Sequence, residues 1–64
     1  LQRREIVEAI SQLPPSQRQL VTLKFIEGLT NQEIGQAMNK SHGAIRILQM
    51  RALLNLRERL NAQT

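Results

Sequence analysis

Residues 31–50 read NQEIGQAMNKSHGAIRILQM. The stretch is helical at both ends and cannot be one helix through its middle. Thr30 and Glu33 have the spacing of a capping box, in which the threonine hydroxyl accepts the Glu33 N–H and the carboxylate accepts the Thr30 N–H. A helix therefore starts there and runs to about Met38. Asn39 is the non-glycine residue that best tolerates positive φ, so it suits a sharp turn. Ser41 is a strong N-cap, so a second helix restarts at once. Two helices joined by a turn this short form a helix-turn-helix unit. They cross steeply and closely, and the contact position in the first has to be small. Gly35 fills it at a helix cost of roughly 1 kcal/mol relative to alanine. It is expected to lie buried against Ile45, with Ile34 and Met38 beside it and Leu48 returning from the second helix. Lys40 departs from the pattern, since an apolar residue is common at that place in the turn.

The remaining residues also read as helix. Ile6, Ile10 and Leu13 are spaced i, i+4, i+7, which marks one helical face. Pro14-Pro15 stops that helix, because proline disfavours helical geometry in the residue before it. Pro15 then opens a second helix. Leu20, Val21, Leu23, Phe25 and Ile26 surround most of it, as on a central helix packed on several sides. Gly28 suits a left-handed C-cap for that helix. In the last helix Ile45, Leu48, Ala52, Leu56 and Leu60 share a face, with Leu53 at its edge. The expected fold is all-α: residues 1–64 form a single four-helix domain with a C-terminal helix-turn-helix at about 31–50 and a long recognition helix. Asn61–Thr64 is expected to fray. The chain begins at Leu1, not methionine, which suggests a domain cut from a longer protein.

With Ile45, Leu48, Ala52 and Leu56 turned inward, the opposite face is fixed. It carries His42, Gly43, Arg46, Ile47 and Met50, with Arg51 at its flank. In a helix-turn-helix protein this face enters the DNA major groove near the helix N-terminus. Arg46 can make a bidentate contact to guanine O6 and N7, and Ile47 and Met50 can pack on a thymine methyl. Gly43 lets the backbone approach a phosphate at the positive end of the helix dipole. Charge agrees with this. The chain has nine Lys/Arg and five Asp/Glu, a net charge of +4. Residues 1–33 balance Arg3, Arg4, Arg18 and Lys24 against Glu5, Glu8, Glu27 and Glu33. The excess comes from Lys40, Arg46, Arg51, Arg57 and Arg59 against Glu58. A basic block of this kind fits a polyanion, nucleic acid most often. A solvated basic helix is the bland reading of the same residues, and the bland reading of Ile47 and Met50 is that they are stray exposed residues or part of a protein contact.

With the motif in place, a family resemblance follows. Leu13-Pro14 with Gln17-Arg18, Gly28-Leu29-Thr30, Glu33-Ile34, Gly43-Ala44-Ile45-Arg46 and Arg51-Ala52-Leu53 resemble the C-terminal promoter-recognition domain (region 4) of bacterial RNA polymerase sigma factors. The extracytoplasmic-function group is the nearest. The resemblance spans residues 13–60, about three quarters of the chain. It implies binding to the −35 element of double-stranded promoter DNA, docking on the flap of the polymerase β subunit, and silencing by an anti-sigma factor. The implied location is the cytoplasm, at the nucleoid. By position, it implies DNA contacts at Lys24, Asn31, Gln32, Ser41, Gly43, Ala44, Arg46, Ile47, Met50 and Arg51. The family's common pattern has Thr at 44, Ser at 47 and Arg at 48, where this chain has Ala44, Ile47 and Leu48. Ile47, Met50 and Leu54 form a strip one helical turn apart. DNA can cover only the beginning of that strip, so it is the expected contact for an anti-sigma factor.

Two other readings remain open. The output domain of LuxR-type response regulators shares the GLTNQEI core, although its recognition helix usually carries Thr-Val-Lys where this chain has Ala44-Ile45-Arg46. A helical protein-interaction module without DNA binding would use the same apolar strip. An enzyme is excluded in practice. One His, no Cys, no Asp and no glycine-rich phosphate loop leave no catalytic constellation, no metal site, and no place for a cofactor or small-molecule substrate. The lack of Cys fits a reducing compartment. No run of about 18 apolar residues and no signal-peptide pattern point to a membrane.

Overall fold

A computed structural model of the chain describes residues 3–62. Helix α1 is Arg3–Ser11, α2 is Pro15–Val21 and continues as a π-helical turn over Thr22–Ile26, α3 is Asn31–Met38, and α4 is His42–Ala62. No strand occurs among the described residues. The all-α, four-helix expectation is met.

The core is small. Ile10, Leu13, Leu20, Val21, Ile34, Ile45 and Ala52 form one buried cluster, and Ile6, Leu23, Leu29, Met38, Leu48 and Leu56 close over it. Leu20, Val21, Ile34 and Ile45 are the largest side chains fully removed from water. Each such burial contributes about 1.5–3 kcal/mol. Helix α4 is the spine, and α1, α2 and α3 all pack on it. At 1.5 Å per residue its 21 residues run for about 32 Å. Its far end is tied down by polar contacts. Asn55 Nδ2 donates to Gln17 Oε1 at 3.1 Å, and an Arg59 guanidinium N–H donates to Gln12 Oε1 at 3.2 Å.

Four expectations change. Leu13 is buried as its spacing requires, but it sits in the turn after α1, which ends at Ser11. The second helix does not stay α-helical to Gly28. It widens at Thr22, and the Glu27 N–H reaches back five residues to the Thr22 carbonyl at 3.0 Å. That wider turn breaks the periodicity assumed for the helix and swings Phe25 and Ile26 outward, to 55% and 60% exposure. They are not core residues. Gly28 caps the segment at φ 76 as expected, with the Leu29 N–H on the Leu23 carbonyl at 2.9 Å. Fraying from Asn61 is not seen: α4 extends through Asn61 and Ala62, while Gln63 and Thr64 lie outside the described residues.

The fourth change concerns Gly35, which is half-buried. A Cβ there would lie 3.8 Å from Ile45 Cγ1, an ordinary contact, but 2.9 Å from the Lys40 carbonyl oxygen. The close approach that demands glycine is therefore made by the turn itself. Asn39 takes the left-handed conformation at φ 55. The Lys40 N–H then bonds the Gly35 carbonyl at 2.9 Å, and the Asn39 N–H bonds Gln36 at 3.4 Å. This is the paired bonding of a Schellman motif. That motif usually packs an apolar side chain just past the turn against the residue that here is Gly35. Glycine offers no side chain to meet, so Lys40 can stay polar and exposed.

Candidate nucleic-acid interface

The turn delivers α4 to the surface beside α3. The capping box forms in full: the Glu33 N–H donates to Thr30 Oγ1 at 3.1 Å, and the Thr30 N–H donates to Glu33 Oε1 at 2.9 Å. The Thr30 backbone bond, with the Thr30 hydroxyl second, holds the Glu33 carboxyl below its usual value. Ser41 caps α4 as expected, its Oγ accepting the Ala44 N–H at 3.1 Å. The first intrahelical bond runs from the Ile45 N–H to the Ser41 carbonyl. The N–H groups of His42 and Gly43 therefore find no acceptor among the described residues. They stand at the positive end of a 21-residue helix.

Past that end α4 divides as its sequence requires. Ile45 and Ala52 are fully buried, while Ile47 and Met50 keep 50% and 58% of their surface. Gly43, Arg46, Ile47 and Met50 line one shallow concavity. Asn31 joins Arg46 and Met50 in a second. Gln32, Ser41 and His42 share a third, between α3 and the turn. Nine of the ten residues expected to face DNA thus lie on one continuous surface or are bonded to it. Lys24 belongs through a 2.7 Å bond from its ammonium to Asn31 Oδ1. Ala44 belongs through the Ser41 cap, which occupies its backbone N–H. Arg51 is exposed on α4 but lines none of these hollows.

Sequence reasoning missed Gln36 and Lys40, which line the α3–turn hollow, and Gln49, which lines the hollow with Asn31 and Arg46. Gln49 lies three residues beyond Arg46, a spacing that makes them helix neighbours, so it could have been named. Leu54 continues the apolar strip at 54% exposure. Two features bear on other functions. Among the described residues there is no group of three or more His, Cys, Asp or Glu that could hold a metal ion, and no helix is long and apolar enough to cross a membrane.

Comparison with known proteins gives a consistent family. The family model described as "Sigma-70, region 4" matches residues 9–58. The chain is 41% identical over 51 residues to the ECF RNA polymerase sigma factor BldN of Streptomyces coelicolor, covering 80% of this chain and 19% of that protein. It is 46% identical over 48 residues to the ECF RNA polymerase sigma factor ShbA of Streptomyces griseus, covering 75% and 25%. The RNA polymerase sigma factor CarQ of Myxococcus xanthus is 40% identical over 58 residues, covering 91% and 33%. The chain thus spans between 19% and 33% of the length of these curated relatives. No solved structure matches it.

Proposed function

The chain belongs to the sigma-70 region 4 family, and from that premise we propose that it binds double-stranded promoter DNA at the −35 element, as part of a sigma factor that directs RNA polymerase in transcription initiation. One observation carries the reading. The start of α4 offers two backbone N–H groups that find no acceptor among the described residues, beside the exposed Arg46, Ile47 and Met50 and on the side opposite the buried Ile45 and Ala52.

In this reading α4 enters the major groove with its first turns. The His42 and Gly43 N–H groups meet a phosphate, and Arg46 reads a guanine edge. Ile47 and Met50 supply apolar contact to a thymine methyl. Asn31, Gln32 and Ser41 hold the flanking backbone, which sets the register and carries no sequence information. Ala44 lies along the same groove wall, and Arg51, exposed on α4 outside the three hollows, meets the DNA backbone beside it. The role requires no catalytic residue and no cofactor. It places the protein in the cytoplasm, at the nucleoid, with the polymerase β-subunit flap as a docking partner.

The exposed strip of Ile47, Met50 and Leu54, each at least half exposed, supports a second contact. An anti-sigma factor seated there would exclude DNA. Salt separates the two modes. Counterion release makes phosphate binding weaken steeply as salt rises, and apolar docking does not. The deciding experiment compares Arg46→Ala with the parent chain on a duplex carrying the −35 element and on a scrambled duplex. Loss of about 1–3 kcal/mol confined to the specific duplex is the expected result. Equal loss on both would refute base reading by Arg46.

A further inference from the structure

The Lys24–Asn31 bond constrains both partners. The Lys24 ammonium donates to Asn31 Oδ1 at 2.7 Å, and both side chains are half-buried. An ammonium has only donors, so it must face the oxygen of the amide. The Asn31 NH2 is therefore held on the side away from Lys24. Asn31 borders both the hollow shared with Arg46 and Met50 and the hollow shared with Gln32 and Ser41. It is also the first residue of α3, where the N–H groups of Asn31 and Gln32 find no acceptor among the described residues. Lys24 is the central residue of the Thr22–Ile26 π turn. Such turns are rare and concentrate at functional sites.

We propose that Lys24 is a positioning residue and not an independent phosphate contact: it locks the Asn31 amide so that the NH2, together with the first N–H groups of α3, donates to a DNA phosphate beside the groove that α4 enters. The inference rests on the DNA-binding reading above and adds a division of labour to it. Asn31 touches the phosphate. Lys24 removes the alternative amide orientation, in which an oxygen would face the phosphate and repel it. Asn31 is then a donor of fixed direction, and its entropy cost on binding is already met in the free chain.

Two independent contacts and one coupled unit differ in additivity. The test measures affinity for a short duplex of mixed sequence at low salt, for the 64-residue chain and its variants. Lys24→Met and Asn31→Ala are each expected to weaken binding about tenfold, the scale of one hydrogen bond to a charged group. The double variant is expected to lose about tenfold as well, because Lys24 has nothing left to position. Lys24→Arg keeps a donor and is expected to stay within about threefold of the parent. Asn31→Asp keeps the acceptor for Lys24 but lacks the NH2, and is expected to bind no better than Asn31→Ala. Far-UV circular dichroism of each variant should match the parent, so the coupling cannot come from lost helix. An additive cycle, with the double variant losing about a hundredfold, overturns the assignment. So does a Lys24→Met variant that binds as the parent does. A parent chain that binds no duplex at any salt would sink the DNA-binding reading itself, an outcome distinct from an additive cycle in a chain that binds.

Discussion

Two helical glycines provide the sharpest test of how this fold is held, because they make opposite demands on the same substitution. A Cβ at Gly35 would stand 2.9 Å from the Lys40 carbonyl oxygen, whereas a Cβ at Gly43 would meet nothing within 4 Å. An ordinary carbon–oxygen approach is about 3.3 Å, so Gly35→Ala must push that carbonyl back by roughly 0.4 Å. Lys40 cannot retreat freely. Its own N–H is bonded to the Gly35 carbonyl at 2.9 Å, and the neighbouring Asn39 bond is already long at 3.4 Å. Overpacking of this kind costs about 1–3 kcal/mol. The gain in helix propensity from glycine to alanine returns roughly 1 kcal/mol. The net expectation is a loss of up to about 2 kcal/mol. Gly43→Ala meets no clash and no positive φ, so it should gain up to about 1 kcal/mol, partly by restricting the unfolded chain.

The two variants should therefore differ by about 1–3 kcal/mol, with Gly35→Ala the less stable. In a domain this small 1 kcal/mol moves the thermal midpoint by about 4–8 °C. The separation is thus readable by thermal melting or urea titration followed by far-UV circular dichroism, without any DNA. Gly35→Ala melting at or above Gly43→Ala would refute the claim that the turn's backbone, rather than general helix preference, dictates the glycine.

Three further outcomes follow from particular residues. Glu33 has its carboxyl held below the reference value of 4.5 by Thr30. The box therefore stabilises the fold above that value and loses its effect as pH falls through the lower folded value. The gap in melting temperature between the parent and Glu33→Gln should close on acidification, and a gap that widens would contradict the capping assignment. Phe25→Ser should change stability by no more than about 0.5 kcal/mol in urea titration, because Phe25 is 55% exposed; a loss of about 3–5 kcal/mol would mean that Phe25 is a core residue after all. Leu54→Asp should leave the melting temperature nearly unchanged and abolish capture by a cognate anti-sigma factor, measured by competition with promoter DNA. Simultaneous binding of that partner and DNA would rule out the shared surface.

Local chemistry made most of the fold legible. Thr30, Glu33, Asn39, Ser41 and Gly28 each act within a few residues of themselves, and each does what its side chain or backbone freedom implies. The inward face of α4 was equally readable, since Ile45 and Ala52 follow a simple helical period. The π turn was not. Nothing in TLKFI announces a five-residue hydrogen-bond reach, and an α-helical period applied through it wrongly sends Phe25 and Ile26 inward. The same turn hid the Lys24–Asn31 bond, which joins residues seven apart across a change of element. The place of Gly35 in the motif is enough to require a small residue there. Ile45 does lie against it, at 3.8 Å from a Cβ placed there, but the tightest neighbour, the Lys40 carbonyl, depends on how far the Schellman turn folds back, which is a property of backbone geometry and not of residue type.

The fold and the interface share a narrow set of residues. The stereochemistry that stops α3 at Asn39 and restarts the chain at Ser41 also fixes where α4 begins. Where α4 begins decides which N–H groups lack acceptors. Among the described residues the His42 and Gly43 N–H groups find no acceptor, because Ser41 caps Ala44 and the first helical bond goes to Ile45. Moving the start of α4 by one residue would rotate its exposed face by about 100° and turn Arg46 away from Asn31. Substitutions should therefore separate into two groups by their effect. Changes at Gly35 or Ile45 disturb binding through the fold and shift the melting temperature. Changes at Arg46, Ile47 or Met50 leave the core cluster intact, because none of these side chains enters it. A variant at Arg46 that lost both DNA affinity and several degrees of stability would show that this surface also supports the core, contrary to the packing described.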